Sequence, residues 1–176
     1  MSDKQFFIIF MVSALLYFVS YKSGEYLRKR KEIKDKPVKD YLNKVILSIN
    51  KMNGSEFEDF VSFVFKELGF KVKQTAKTRD GGKDLILKTT KGKVYVEVKR
   101  YSSKNPISSS LVLKLIGSAV SDGINECIFL TTSRYTKDAL ELVENSKVNV
   151  KLIDLDGFKD MIKKCNSGRV LGYLGY

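Results

Sequence analysis

Two adjacent segments between Lys83 and Arg100 constrain the fold more than any other stretch of the chain. In Val94-Tyr95-Val96-Glu97-Val98-Lys99, valines alternate with Tyr95, Glu97 and Lys99. A period of two sets the valines on one face of a strand and the other three side chains on the opposite face. The preceding segment, Lys83–Thr89, sets Leu85 and Leu87 on one face and Asp84, Ile86 and Lys88 on the other. Joined around Lys91-Gly92, the two segments make a hairpin. Bringing the apolar sets together requires a loop of even length, because a one-residue slip turns every side chain over. A two-residue loop sets Asp84 against Lys99, and a four-residue loop sets it against Glu97. In either register, with no intervening bulge, Asp84, Glu97 and Lys99 converge on one surface.

The elements around this pair alternate. Ser55-Glu56-Phe57-Glu58 has a capping-box pattern that opens a helix. Phe57, Phe60, Val61, Val64, Phe65 and Leu68 form its apolar face, and Gly69 ends it. A strand is expected from Phe70 to Thr75, then a turn at Arg79-Asp80-Gly81-Gly82. Beyond the hairpin, Leu111, Val112, Leu115, Ile116 and Ala119 mark a helix, and Glu126–Thr132 a buried strand. Tyr135–Ser146 is expected as a helix, Val148–Ile153 as a strand and Leu155–Cys165 as a last helix. Early strands followed by helix–strand alternation predict an α/β fold: a mixed central sheet flanked by helices. The folded body is expected at 52–165, and the Gly-rich stretch 166–176 is read as a tail.

The N-terminal end is of a different kind. From Phe6 to Tyr21 no charge interrupts the chain. About 16 helical residues rise ~24 Å, short of a ~30 Å hydrocarbon core, and Gln5 and the snorkelling stem of Lys22 extend the reach. Residues 1–22 are therefore expected to be a single-pass transmembrane anchor. Only Lys4 precedes the run, whereas Lys22, Arg28, Lys29, Arg30, Lys31, Lys34 and Lys36 follow it, which places the C-terminal body in the cytoplasm. Residues 23–51 read as a charged helical connector able to lie on anionic membrane lipid, with a break at Pro37 and a short amphipathic helix after it.

Charge and absences narrow the chemistry. The net charge is +12, which suits a polyanionic partner, nucleic acid or an anionic lipid face. There is no histidine, which excludes Ser-His-Asp and Cys-His nucleophile systems and histidine-ligated metal sites. Cys127 and Cys165 match no zinc spacing and form no disulfide framework. No GxxxxGK[ST] loop is present. Any active site must use carboxylates, lysines, arginines and hydroxyls. Two carboxylates side by side repel each other unless a cation lies between them. An all-oxygen pair suits Mg²⁺ or Mn²⁺, ions that also take phosphate oxygens. A lysine beside them can position an attacking water and stabilise charge on a phosphate. Asp84, Glu97 and Lys99 are thus a candidate site for phosphodiester hydrolysis; a solvated stripe of alternating charge is the bland reading of the same residues.

Gly54-Ser55-Glu56-Phe57-Glu58, Asp80-Gly81-Gly82-Lys83-Asp84 and Val96-Glu97-Val98-Lys99-Arg100-Tyr101 resemble the successive motifs of Mrr-type restriction endonucleases. These belong to the wider PD-(D/E)xK nuclease fold. Leu130-Thr131-Thr132-Ser133, Thr136-Lys137-Asp138-Ala139 and Leu152-Ile153-Asp154 resemble that family's closing strand, helix and strand, so the likeness covers residues 52 to 158. It implies a restriction-endonuclease-like fold and a Mg²⁺- or Mn²⁺-dependent DNA endonuclease, with a role in defence against foreign DNA. Asp84 and Glu97 would hold the metal, Lys99 would serve the water, and Glu58 would help to complete the site unless it only caps its helix with Ser55. Asp80 would shape the turn. Many such domains carry glutamine where this chain has Glu97, and they often carry a separate DNA-reading module. Lys71, Lys73, Lys77, Arg79, Arg100, Lys104 and Lys114 are candidate phosphate contacts, with Arg79, Arg100 and Lys104 nearest the motifs. The expected partners are DNA, membrane lipid and a second copy of the chain. The alternative is a catalytically silent module that tethers DNA to the membrane.

Overall fold

The computed structural model describes residues 3–75 and 82–176; the side chains of residues 3–19, 27 and 30–35 fall outside the description. The chain divides into two compact units, Met1–Asn43 and Lys44–Tyr176. Helix α1 (Asp3–Lys51) makes up the first unit and continues into the second. The expected break at Pro37 does not occur, since α1 runs through it. A proline inside a helix removes one backbone bond and costs about 3 kcal/mol. Pro37 is exposed, so water can satisfy the carbonyl left without a donor. Most of the apolar run Phe6–Tyr21 lies among the side chains outside the description. Among the described residues, no helix is long and apolar enough to cross a membrane.

The second unit is built on a five-stranded sheet of order β1-β2-β3-β4-β5. Its strands are β1 (Lys71–Gln74), β2 (Leu85–Thr89), β3 (Gly92–Lys99), β4 (Glu126–Thr131) and β5 (Asn149–Ile153). The first three pair antiparallel, and β3, β4 and β5 pair parallel. The sheet is thus mixed, as the alternation predicts. Helices α2 (Gly54–Glu67), α3 (Ser109–Ser121), α4 (Lys137–Glu144), α5 (Leu155–Ile162) and α6 (Ser167–Tyr173) complete the unit.

The period-two pattern of the hairpin decides which residues each face buries. Leu85 pairs with Val96 and Leu87 with Val94, so the apolar sets share one face, and all four side chains are buried. Buried Phe57, Phe60, Val61 and Val64 of α2 and Phe158 and Ile162 of α5 belong to the same core, where Phe158 meets Phe57 and Phe60 edge-on. The opposite face carries a second core, in which Tyr95, Cys127 and Phe129 of the sheet pack with Val112, Leu115 and Ala119 of α3 and Ala139 of α4.

Two details differ from the sequence reading. The capping box of α2 uses Asn53 and Glu56: the Glu56 N–H donates to Asn53 Oδ1 at 2.9 Å, and the Asn53 N–H to Glu56 Oε2 at 2.7 Å. Ser55 and Glu58 have the same i, i+3 spacing two residues later, so pattern alone did not separate the pairs. The expected tail contains α6, whose Val170 is buried and whose Tyr173 stacks on Phe63 with ring centroids 4.4 Å apart. So short a helix is stabilised by tertiary packing, which a Gly-rich sequence does not announce.

Candidate active site

The site forms where the β2–β3 ladder ends. Thr89 pairs with Gly92, so Thr90 and Lys91 alone connect the strands. The two-residue loop lies one position earlier than the Lys91-Gly92 expected, so extending this register would set Asp84 opposite Glu97 and not opposite Lys99 as expected for a two-residue loop, but the ladder stops at Leu85. Asp84 instead donates its N–H to Val96 O at 2.8 Å. Its carboxylate turns inward, and Oδ2 accepts the Val98 N–H at 2.7 Å. A side chain therefore takes the place of the next backbone rung on that edge of β3. Thr75 fixes the other side of Asp84: its N–H donates to Asp84 O at 2.9 Å, and its hydroxyl to Lys83 O at 2.7 Å.

Glu97 is buried on the face that carries Tyr95, paired in register with Phe129 of β4. Lys99 bridges the two acids. Its Nζ lies 2.5 Å from Glu97 Oε1 and 3.6 Å from Asp84 Oδ2. The side chains of Asp84 and Glu97 are only 9% and 7% exposed, and that of Lys99 is 25% exposed. Burial acts to lower the Lys99 pKa, but the Glu97 hydrogen bond and the charges of Glu97, Asp84 and Glu58 outweigh it. The net shift is upward from the ordinary lysine value, and the ammonium form is favoured.

Glu58, in the first turns of α2, is the smallest of these influences on Lys99. The capping role offered for Glu58 belongs to Glu56. Asp84, Glu97 and Lys99 are thus brought together, whereas among the described residues Glu58 does not complete a three-acid ligand set with Asp84 and Glu97. Of the candidate phosphate contacts, Arg100 is engaged elsewhere. Arg100 donates from Nε to Ile49 O at 3.1 Å and from Nη2 to Asn50 O at 2.6 Å, tying down the C-terminal carbonyls of α1. Lys104 is exposed on the loop after β3. Arg79, with Lys77, Asp80 and Gly81, lies outside the described residues. Lys114 packs over Gly82, where an added Cβ would come within 3.0 Å of its side chain. Gly82 also has a φ of +82°, a conformation that favours glycine.

Three successive hydroxyls of β4 and the turn after it hold the chain that leaves the catalytic strand. Thr131 Oγ1 donates to Lys99 O at 2.8 Å, and Thr132 Oγ1 to Tyr101 O at 2.7 Å. Ser133 Oγ bonds to Ser102 O at 2.9 Å and to Asn105 O at 2.8 Å. The sequence shows these three residues only as part of a closing strand. Their partners lie 28 to 32 residues away, and no local pattern reveals them.

A second cluster, absent from the sequence reading, stands beside the site. Lys83 Nζ donates to Asp122 Oδ2 at 2.9 Å and Ser118 Oγ at 3.0 Å, and lies 4.5 Å from the centroid of the Tyr95 ring. The Tyr95 hydroxyl donates to the same Asp122 oxygen at 2.7 Å. The end of α3 is thereby pinned to the residue before Asp84 and to the strand that carries Glu97.

The donor set fits a hard divalent cation. Two buried carboxylates flank a lysine ammonium, so the pocket already balances acidic charge with a cation, and its ligating atoms are oxygens. Among the described residues, no three Asp, Glu, Cys or His side chains converge as a ligand cage. An ion held by two carboxylates keeps several waters, as Mg²⁺ commonly does.

A mixed sheet with an acid at the end of β2, and an acid and a lysine two residues apart on β3, defines the restriction-endonuclease-like class of folds. The Mrr_cat family model, a restriction endonuclease family, matches residues 49–162, more than half of the chain. The chain belongs to this family and carries a restriction-endonuclease-like nuclease domain. It is similar to the uncharacterised protein y4cE of Sinorhizobium fredii (strain NBRC 101917 / NGR234), 40% identical over an 88-residue alignment that covers 48% of this chain and 22% of that protein. Among solved structures it resembles the DNA modification-dependent restriction endonuclease AspBHI. That match has a TM-score of 0.58 at 19% identity, covering 76% of this chain and 38% of AspBHI. It also resembles the MspJI restriction endonuclease in complex with a 27-mer oligonucleotide, with a TM-score of 0.51 at 20% identity, covering 67% of this chain and 30% of MspJI. The chain spans less than half the length of each of these three proteins.

Proposed function

We propose that the chain is a divalent-metal-dependent DNA endonuclease that hydrolyses phosphodiester bonds at Asp84, Glu97 and Lys99. The observation that carries this reading is the Lys99 ammonium set between two buried carboxylates. Such a cluster is an expensive way to stabilise a sheet, because desolvating three charges offsets much of their attraction. A metal-binding, phosphate-facing role gives it a purpose. Asp84 and Glu97 would hold Mg²⁺ or Mn²⁺, which when bound would supply charge neutralisation at the phosphate and make a water more acidic. The Lys99 ammonium donates a hydrogen bond to a phosphate oxygen or to the attacking water. Glu58 adds negative charge on the helix side.

The Mrr-family membership and the DNA-related neighbours support DNA as the substrate and defence against foreign DNA as the setting. The apolar run Phe6–Tyr21 and the lysines and arginines after it support a single-pass anchor, with the nuclease at the cytoplasmic face and the connector on anionic lipid. Carbonate extraction of membranes tests the anchor: an integral protein stays in the pellet, and a peripheral one is released. For the nuclease, full-length chain in mild detergent is incubated with supercoiled plasmid and Mg²⁺ or Mn²⁺. Nicked and linear products that disappear with EDTA support the reading, and intact plasmid under every metal condition opposes it.

A further inference from the structure

Beside the acidic cluster lies a cleft of about 400 Å³, within the ~300–1,000 Å³ range of small-ligand sites. Tyr101, Ser102, Ser103, Thr132 and Leu155 line it, and Arg100 with the last turn of α1 closes one side. It begins at Arg100, the residue directly after Lys99. Among the described residues that line it there is no aspartate or glutamate. The cleft therefore offers one arginine, several hydroxyls and one aromatic ring on the segment that directly follows Lys99.

Its walls are held in place. The Arg100 guanidinium is fixed by the Ile49 and Asn50 carbonyls. Thr132 and Ser133 bond to the carbonyls of Tyr101, Ser102 and Asn105, so the segment that carries the ring and serines is tied to β4. Tyr101 remains 37% exposed. An exposed aromatic on a loop tied to β4, beside the hydroxyls of Ser102 and Ser103, is suited to stacking a planar base while those hydroxyls take its edge or its phosphate.

We propose that this cleft receives one nucleotide of the DNA strand next to the scissile phosphate, with its base out of the duplex stack and against Tyr101. The inference rests on the nuclease reading of the adjacent site and deepens it: the preferred substrate is DNA in which a base near the cut is unpaired. A base that is already unpaired spares the cost of leaving the stack. Stacking on one aromatic side chain accounts for about a tenfold gain in affinity.

The test uses the full-length chain in mild detergent with EDTA present. Fluorescence anisotropy compares short labelled DNA duplexes that are fully paired, that contain one bulged base, or that carry an abasic residue at the bulge. The wild type is expected to bind the bulged duplex about tenfold more tightly than the paired one, and to lose that gain when the bulge is abasic. Tyr101→Ala is expected to abolish the preference, and Tyr101→Phe to restore it, because the ring does the stacking. Equal affinity of the wild type for bulged and paired duplexes overturns the proposal. So does a preference that survives in Tyr101→Ala or persists with the abasic bulge. Plasmid cleavage with Mg²⁺ is run in parallel. Cleavage without a Tyr101-dependent preference overturns the cleft and leaves the nuclease reading standing. A Tyr101-dependent preference without cleavage supports the cleft and overturns the nuclease reading.

Discussion

Lys99 holds Glu97 by a contact of 2.5 Å between its ammonium and Oε1, on a sheet face where the carboxylate is almost fully buried. The same ammonium is 3.6 Å from Asp84 Oδ2, so one cation serves two acids. Removing it leaves two desolvated carboxylates facing each other. Lys99→Met is expected to destabilise the domain by about 2–4 kcal/mol, somewhat less than for a fully enclosed ion pair because Lys99 keeps contact with water. A divalent ion replaces the missing charge, so Mg²⁺ should raise the Tm of Lys99→Met more than that of the wild type. Thermal denaturation with and without Mg²⁺ checks this, and equal metal responses would count against metal binding at Asp84 and Glu97.

Asp84 has a structural duty that can be separated from its charge. Its carboxylate accepts the Val98 N–H, and an asparagine oxygen can do the same. Asp84→Asn should therefore fold with little loss, whereas Asp84→Ala leaves a buried N–H without its acceptor and costs about 1–3 kcal/mol more. Urea denaturation of the two variants distinguishes them. Equal stability would mean that the Asp84–Val98 bond does not matter to the end of the ladder.

The hydroxyls after β4 make a third prediction. Ser133 is buried and bonds to two carbonyls of the loop that follows Lys99. Ser133→Ala should cost about 1–2 kcal/mol and should increase amide hydrogen exchange over residues 101 to 105. Exchange unchanged in that loop would show that the serine does not restrain it.

How far the sequence discloses this arrangement depends on the range of each interaction. The valine alternation of β3 and the leucines of β2 define two faces by local periodicity, and the hairpin pairs them as that periodicity requires. Asp84 is harder: its place in the chain is legible, but its inward turn to the Val98 N–H follows from the end of the ladder. Arg100 reads as a phosphate contact because it is basic and follows Lys99. Its bonds to Ile49 and Asn50 span about half a hundred residues, and no local pattern encodes them. The same holds for Thr131, Thr132 and Ser133, and for the Lys83–Asp122–Tyr95 cluster, whose members come from three elements. Local pattern misplaced the α2 cap because two overlapping i, i+3 pairs compete for the role.

The cysteines give a pH-dependent prediction. Burial pushes the Cys127 thiol up from 9.0 to about 11, and burial raises Cys165 as well, with a further push from Glu67. A group whose folded pKa is raised stabilises the fold below its unfolded pKa, and that contribution fades as pH rises through the folded value. The Cys127 contribution should thus be intact below about pH 9 and lost toward pH 11. In native protein at pH 8, a thiol reagent should label half-buried Cys165 first, and Cys127 only after unfolding. Rapid labelling of Cys127 in the native state would contradict the packing of β4 against α3.

The central claim is that Asp84, Glu97 and Lys99 form a hydrolytic centre and not only a DNA-binding surface. Full-length wild type and Asp84→Asn, matched for DNA affinity in EDTA, are compared for the rate of supercoiled-plasmid cleavage on addition of Mg²⁺. The account predicts metal-dependent cleavage by the wild type and a loss of at least about a hundredfold in Asp84→Asn, the scale of removing a group that stabilises transition-state charge. Binding without cleavage in both proteins, or equal cleavage by the two, would contradict it.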